Sequence, residues 1–581
     1  MPPQSGLGEN LKSLIAQCEA MISRRPVWVT LALALALTIA VLSFYDIGYQ
    51  DCDDVFLLLM CKGVGLVQKP EIMNGRMNVI LSFLLTNLYT WVPTIQWYSV
   101  MSVGTIFLSL WGLLLAVQLD GTHRVFKVML LLFSCALYTF FFSSMQWTTT
   151  ASLAGMSAFF LLYAAYQCNR RVSGAFLCLP FLLMALSAGL RSDSFFLTCL
   201  LALPSVIFLL RGLERNPERR KLIMSTAAAL LIILGGISFD KLCYENNPEW
   251  KKAIAFFHAH FNINEARGDL YSSDTKPIFD SVGWTETDYR LLRGWYFLDE
   301  TTYSVEKINR LCAALPRVGV EKRSDETFVG MFWRQSTQCA LFTCLALLFL
   351  IPSRKRGRAF LDVLWTLGVM AFLWTVFKLP ARVYLPCLFF LINLLLFRAV
   401  AACGMGEAAK SPTPTDHRRV GVMMGLILLV NIAFCLGFMK TDHRWGRIKD
   451  GFETSMKGFH PDKNKLYVVW EMLLPYNMIR PFDDYEVFRG WNIVSLTWLQ
   501  RFPVTARMLE RFGVKNLFHD MVDNPNICLI CNKAQGELYQ DYMLEKYGMK
   551  TELKAVYVSD YLWMFEIHRR LEDKPAAQSK T

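Results

Sequence analysis

Four aspartates, Asp46, Asp51, Asp53 and Asp54, fall within nine residues of the stretch Tyr-Asp-Ile-Gly-Tyr-Gln-Asp-Cys-Asp-Asp at 45–54, directly after a long apolar run. Carboxylates beside a membrane span are costly to desolvate, so they mark either a site or a wetted loop. In a site, such a carboxylate takes a proton from an attacking hydroxyl. In a loop, Asp53 or Asp54 caps a helix over Val55–Met60. A basic set stands opposite: Lys378 and Arg382 flank Pro380, and Arg191 sits two residues before Asp193. A cation at headgroup depth suits a lipid phosphate, and Arg grips phosphate with two parallel hydrogen bonds. The plainer readings are snorkelling anchors for Lys378 and Arg382, and a local Arg191–Asp193 ion pair in a helical hairpin.

The elements that position these residues follow from composition. The chain has 581 residues, 54% hydrophobic and only 19% charged, which is the composition of a polytopic membrane protein with some water-exposed mass. The net charge of +12 would suggest nucleic acid in a soluble chain. Here the excess lies in short loops between apolar runs, which speaks for membrane topology and against a nucleic-acid partner. Arg24-Arg25 precedes the first run with no small-residue cleavage site after it, so that run reads as a retained anchor.

Eleven spans are expected, near 27–44, 97–118, 127–145, 148–167, 174–190, 194–210, 222–239, 334–351, 359–377, 383–402 and 420–438. Met77–Val92 is left out. Its Asn78, Ser82, Thr86 and Thr90 recur every fourth residue, a polar stripe that predicts an interfacial helix. Letting it cross would place most basic loops outside, against the positive-inside rule. The expected orientation is therefore N-terminus cytoplasmic and C-terminus extracytoplasmic. It divides the chain into a tail at 1–26, a transmembrane module at 27–239 with its first outer loop at 45–96, a loop domain at 240–333, a second transmembrane module at 334–439 and a soluble domain at 440–581.

The fold expected is a polytopic α-helical membrane protein of about eleven spans with two extracytoplasmic parts. The last is a small α/β or α+β domain, with strands at Lys465–Trp470, Val514–Phe518, Ile527–Cys531, Leu553–Val558 and Leu562–Ile567 and a helix at Val504–Phe512. Gly404–Asp416 reads as a linker. Cys528-Leu-Ile-Cys531 has metal or redox spacing but no second pair, so packing is expected. His258 and His260 are expected on a solvated helix face. Trp295 and Tyr296 are expected in a small domain's core, with sugar stacking as the alternative.

This layout resembles the GT-C superfamily of integral-membrane glycosyltransferases, over the chain to about residue 440. Asp51-Cys-Asp53-Asp54-Val-Phe matches the position of the family's first-loop catalytic acid. Lys378-Leu-Pro-Ala-Arg382-Val-Tyr384-Leu-Pro386 is similar to the start of a late span in members that use polyprenyl-phosphate sugars. Arg191-Ser-Asp193 is like an outer-loop element of bacterial members, and Gly283-Trp-x-x-x-Asp288-Tyr with Gly294-Trp295-Tyr-Phe-Leu-Asp299 is similar to a bacterial subgroup. The resemblance implies a bacterial inner-membrane enzyme active on the extracytoplasmic face. It would transfer sugar from a polyprenyl-phosphate donor to an envelope glycan or lipid-linked acceptor, with inversion. It implies Asp53 or Asp54 as the base, with Asp51 supporting it. Arg382, Lys378, Arg191, Asp193 and Tyr384 would serve at the substrate. A divalent cation, Mg or Mn, is an open cofactor, held by Asp51 and Asp53. The competing classes are a flippase for lipid-linked sugars, which would place ionisable groups near the midplane, and a glycan polymerase or ligase using His258, His260 and Arg267.

Overall fold

The computed structural model describes residues 26–570, apart from 120–133, 136–137, 169–173, 211–216, 265–269, 316–334, 377–378, 405–421, most of 423–445, 455–458 and a few single positions. Lys378, Arg267, the linker and the expected span at 420–438 lie wholly or largely outside the described residues, as does much of 127–145. The protein is a multi-span α-helical membrane protein with a small C-terminal sheet domain.

Among the described residues, seven of the expected spans are helices long and apolar enough to cross a membrane. They are α1 (Pro26–Phe44), α4 (Trp97–Leu119), α5 (Trp147–Cys168), α7 (Ser192–Leu210), α8 (Pro217–Glu245), α14 (Ser353–Val376) and α15 (Ala381–Gly404). Two more, α6 (Gly174–Leu190) and α13 (Gln335–Leu350), are helices of 17 and 16 residues. The centre of the bundle is α4 against α5. Small residues let the backbones approach: Ser157 donates to the Ser109 carbonyl at 2.7 Å, and a side chain at Gly112 would meet Ser157 Oγ at 2.5 Å.

The polar-striped segment forms α3 (Val79–Trp91), 13 residues and too short to cross. The middle of its stripe faces the protein: Ser82 and Thr86 are buried, while Thr90 at its end and the apolar Ile80, Phe83, Leu84 and Trp91 are exposed. An apolar outer face and a polar protein-facing side suit a helix lying in the interface. Asn78 caps it through the Ile80 N–H, and Asp240 of α8 accepts the Val79 N–H at 2.7 Å.

The C-terminal sheet runs β4-β3-β5-β7-β6. Its strands are β3 (Leu466–Trp470), β4 (Asn492–Leu496), β5 (Ile527–Ile530), β6 (Thr551–Val558) and β7 (Trp563–Arg569). The first three pair in parallel and the last two antiparallel. A helix at Pro503–Arg511 lies between β4 and β5, and one at Lys533–Tyr547, opened by an Asn532–Gln535 capping box, between β5 and β6. The expected strand at Val514–Phe518 is a correction. Asn516 accepts the His519 N–H and starts a short helix, Leu517–Asp520, so the local cap overrides the apolar run.

Successive residues of β3 and β5 enter different cores, as strand alternation requires. Tyr467, Val469, Cys528 and Ile530 join the core that continues into the membrane bundle. Leu466, Val468, Trp470, Ile527 and Leu529 join a second core. That second core is shared with the helices of 248–315: Tyr296 stacks on Phe518 at 3.6 Å between centroids, and Trp284 and Tyr303 pack beside them. Cys528 and Cys531 are buried free thiols in separate cores, consistent with packing. His258 is exposed as expected. His260 is not: it is buried against Phe256, Trp295 and Phe297, because its turn of the helix faces the second core.

Candidate active site

The aspartate stretch is pinned by a two-residue parallel pairing. Gly48–Tyr49 (β1) pairs with Ser144–Met145 (β2), which brings the loop after α1 to the start of α5. A helix, α2 (Cys52–Lys62), follows at once, and Asp51 is its extended N-cap residue. Asp51 makes no side-chain cap; its carboxylate accepts the Arg382 guanidinium instead.

Asp53 and Asp54 are adjacent but in opposite situations. Every residue of α2 except Asp53 is buried. Asp54 is 1% exposed. Its Oδ1 accepts the Tyr98 hydroxyl at 2.9 Å and the Trp147 N–H at 3.0 Å, and its Oδ2 has no hydrogen-bond partner. Burial pushes this carboxyl well above the ordinary carboxylate range, with Asp51 and Asp53 adding to the effect. Asp53 accepts the Trp498 indole N–H at 2.7 Å, from the C-terminal domain. Burial also raises the Asp51 carboxyl, helped by Asp53 and opposed by Arg382.

Three arginines surround this acid pair. Arg382 starts α15. Arg191 precedes α7: it donates to the Thr148 hydroxyl at 2.6 Å, lies 3.6 Å from Asp193 and covers the Trp147 ring at 4.4 Å. Burial lowers the Arg191 guanidinium to about 10, and the nearby charges of Arg76 and Arg382 act in the same direction. Arg76, from the loop between α2 and α3, is the third, its guanidinium 4.5 Å from the ring centroids of both Phe257 and Trp498. Asp193 is 82% exposed, on the outer side of its pair. Tyr384 is buried in the bundle core, and its hydroxyl makes no hydrogen bond.

No protein-family model matches the chain, and no curated protein sequence matches it. Among solved structures, the crystal structure of ArnT from Cupriavidus metallidurans in the apo state is similar at a TM-score of 0.42 and 12% identity, over 93% of this chain and 97% of that one.

The C-terminal domain is clasped onto the same loop. Arg480 binds Asp46 and Asp450, each at 2.8 Å, and Glu453 at 3.4 Å. Lys449 donates to the carbonyls of Asp46 and Ile47. The Ile493 N–H donates to the Gly65 carbonyl at 3.0 Å. The result is a half-open carboxylate beside three cations, roofed by the soluble domain. A half-buried carboxylate and three guanidinium groups thus share one end of the bundle. Within the bundle, Asp362 of α14 forms a buried pair with Arg398 of α15, which also donates to Ser205 of α7.

Asp51, Cys52 and Asp53 bring ligand atoms within 4.8 Å of one another, a possible acidic metal triad. The donors fit Mg or Mn poorly. Hard cations take oxygen, whereas the middle donor is a thiol that burial pushes far above its usual range. Arg382 already holds Asp51.

Arg76, Trp498 and Trp147 are site residues that sequence reasoning did not single out. Arg76 was visible as an outer-loop cation, and its position one residue after Gly75 in an Asn-Gly turn was the available signal. Nothing in the sequence links Trp498 to Asp53.

Proposed function

We propose that the protein is a membrane glycosyltransferase of the GT-C kind, using a lipid-phosphate-linked sugar on the extracytoplasmic face of a bacterial inner membrane. The observation that carries this reading is the half-open carboxylate of Asp53. It is the one unburied residue of α2, and it stands beside Arg76, Arg191 and Arg382 at the end of a membrane bundle.

In this reading Asp53 accepts the proton of an acceptor hydroxyl as that oxygen attacks the anomeric carbon. The bond from that carbon to the phosphate oxygen breaks, and the phosphate leaves with the electron pair. Attack opposite the leaving group inverts the centre. Arg382 and Arg191 neutralise the departing phosphate. Asp51 holds the Arg382 guanidinium in place, and the buried Asp54 ties α2 to α4 and α5. No step passes through a metal, in keeping with the donor set. The general base supplies ~10²–10⁴-fold in rate.

Two observations weigh against the competing classes. Among the described residues, the cluster of Asp51, Asp53 and the three arginines lies at one end of the bundle, unlike a transporter site, and the Asp362–Arg398 pair within α14 and α15 is closed off by burial. Of the residues a ligase reading would use, His260 is enclosed by aromatic rings, while His258 is exposed and Arg267 lies outside the described residues.

The test is mass spectrometry of envelope glycans and glycolipids in cells carrying the wild type, a deletion and Asp53→Asn, with membrane levels of each protein measured. Loss of the same sugar in the deletion and in normally abundant Asp53→Asn supports the reading, and the lost mass names the sugar. A normal glycan profile in Asp53→Asn overturns it.

A further inference from the structure

Arg76 differs from the other cations of the site. Arg382 has Asp51, Arg191 has Asp193 and Arg480 has three carboxylates. Arg76 makes no ion pair and no side-chain hydrogen bond among the described residues. Its Nε is buried without a partner, and its guanidinium lies 4.5 Å from the ring centroids of both Phe257 and Trp498. Arg76 is half-buried, and a desolvated guanidinium N–H with no paired anion is costly to keep. Asp53 and Asp51 act on it through charge without an ion pair: Asp51 pairs with Arg382, and Asp53 accepts the Trp498 N–H.

Its placement is built rather than incidental. The buried Asn74 side chain accepts the N–H groups of Arg76 and Met77, at 3.1 and 2.9 Å. Gly75 has φ +72, and a side chain there would meet the Phe502 ring at 2.5 Å. Tyr244 accepts the Gly75 N–H at 2.9 Å. The backbone is thereby fixed, and the two rings pack against the guanidinium. Its unpartnered Nε–H belongs to the fork of N–H groups that matches phosphate oxygens.

We propose that Arg76 is a phosphate ligand of the substrate lipid, completed only when the C-terminal domain docks and Trp498 closes over it. This rests on the glycosyltransferase reading and adds to it a role for the soluble domain. Trp498 has two functions at once: its ring packs against Arg76, and its N–H orients Asp53. Docking of the domain therefore sets the anion cradle and the base together. Trp498 is a positioning residue, because it acts through Arg76 and Asp53.

The experiment measures binding of geranylgeranyl phosphate, geranylgeraniol and inorganic phosphate to the full-length protein in detergent, with thermal stability recorded for each variant. The wild type should bind the lipid phosphate at least ~10-fold more tightly than the alcohol or free phosphate. Arg76→Gln should lower that affinity ~10–100-fold, the range expected for a lost charge-assisted hydrogen bond, and leave the alcohol unchanged. Arg76→Lys should fall between. Trp498→Ala should weaken the lipid phosphate ~5-fold or more, and Trp498→Phe, which keeps a ring over Arg76, should restore most of it. If the wild type does not distinguish phosphate from alcohol, the lipid-phosphate donor is wrong and the proposal goes with it. If it does, and folded Arg76→Gln or Arg76→Lys binds like the wild type, only the Arg76 proposal is overturned. Equal affinity for inorganic phosphate would make the ligand a free anion and overturn the lipid source.

Discussion

Asp53 and Asp54 are separated by one peptide bond, and replacing Asp54 distinguishes their roles. Asp54 accepts two hydrogen bonds on Oδ1, from Tyr98 and the Trp147 N–H, and burial favours its neutral form. Asparagine reproduces the uncharged acid: Oδ1 stays, and an amide replaces the O–H at nearly the same volume. Asp54→Asn should therefore cost less than ~1.5 kcal/mol. Alanine removes the acceptor and strands two buried donors, each worth ~1–3 kcal/mol, so Asp54→Ala should cost ~2–6 kcal/mol. The pH dependence has a definite sign. A carboxyl raised in the fold contributes stability that is fully present below its unfolded value of ~3.9 and is lost as pH rises through the raised folded value. Wild-type stability should carry that decline, and Asp54→Asn should lack it. Thermal unfolding of purified protein across pH, with glycan analysis of the same strains, measures both effects. If Asp54→Asn is folded and abundant yet loses the sugar, its charge is used in catalysis and the division of labour argued here is wrong.

Other outcomes follow from the same geometry. Asp53→Asn keeps an acceptor for the Trp498 N–H and should retain normal thermal stability while transfer falls ~10²-fold or more; Asp53→Ala should lose both, and equal melting of the two variants would show that the Trp498 bond does not hold the domain. Arg382→Ala should weaken donor binding more than Arg382→Lys, whereas equal effects would argue against a two-pronged phosphate grip. Chelation should leave transfer within ~2-fold; a loss reversed by Mg or Mn would place a cation on Asp51 and Asp53. Arg480→Gln should speed protease cleavage between the bundle and the C-terminal sheet, and unchanged cleavage would remove Arg480 from the clasp.

The parts legible in the sequence were those written in local periodicity. Apolar runs of span length gave α1, α4, α5, α7, α8, α14 and α15, and the four-residue polar spacing gave α3 as a non-crossing helix. The same spacing did not say which way the stripe faces, because its partners, Asn74, Gly236 and Asp240, come from other segments. β4 passed unnoticed: Asn492–Leu496 is short and buried on both faces, so it lacks the alternation that marks a half-exposed strand. At the site, the aspartates and Arg382 stood out by type and by position beside spans. Their roles did not. Asp53 and Asp54 are told apart by Tyr98, Trp147 and Trp498, contacts that only the folded chain brings together.

The core shared between 248–315 and the C-terminal sheet sets a timetable for biogenesis. Tyr296 leaves the ribosome roughly 220 residues before Phe518, its stacking partner. At ~5–20 residues per second, that leaves a wait of ~10–45 s. Throughout it, Trp284, Tyr296 and Tyr303 lack the face they pack against, while α13, α14 and α15 are still being inserted. The nascent chain thus presents a sticky aromatic surface beside the membrane before its roof exists. A truncation that ends before β3 should strand that surface permanently and should be cleared by proteolysis, even with every described membrane-length helix already made.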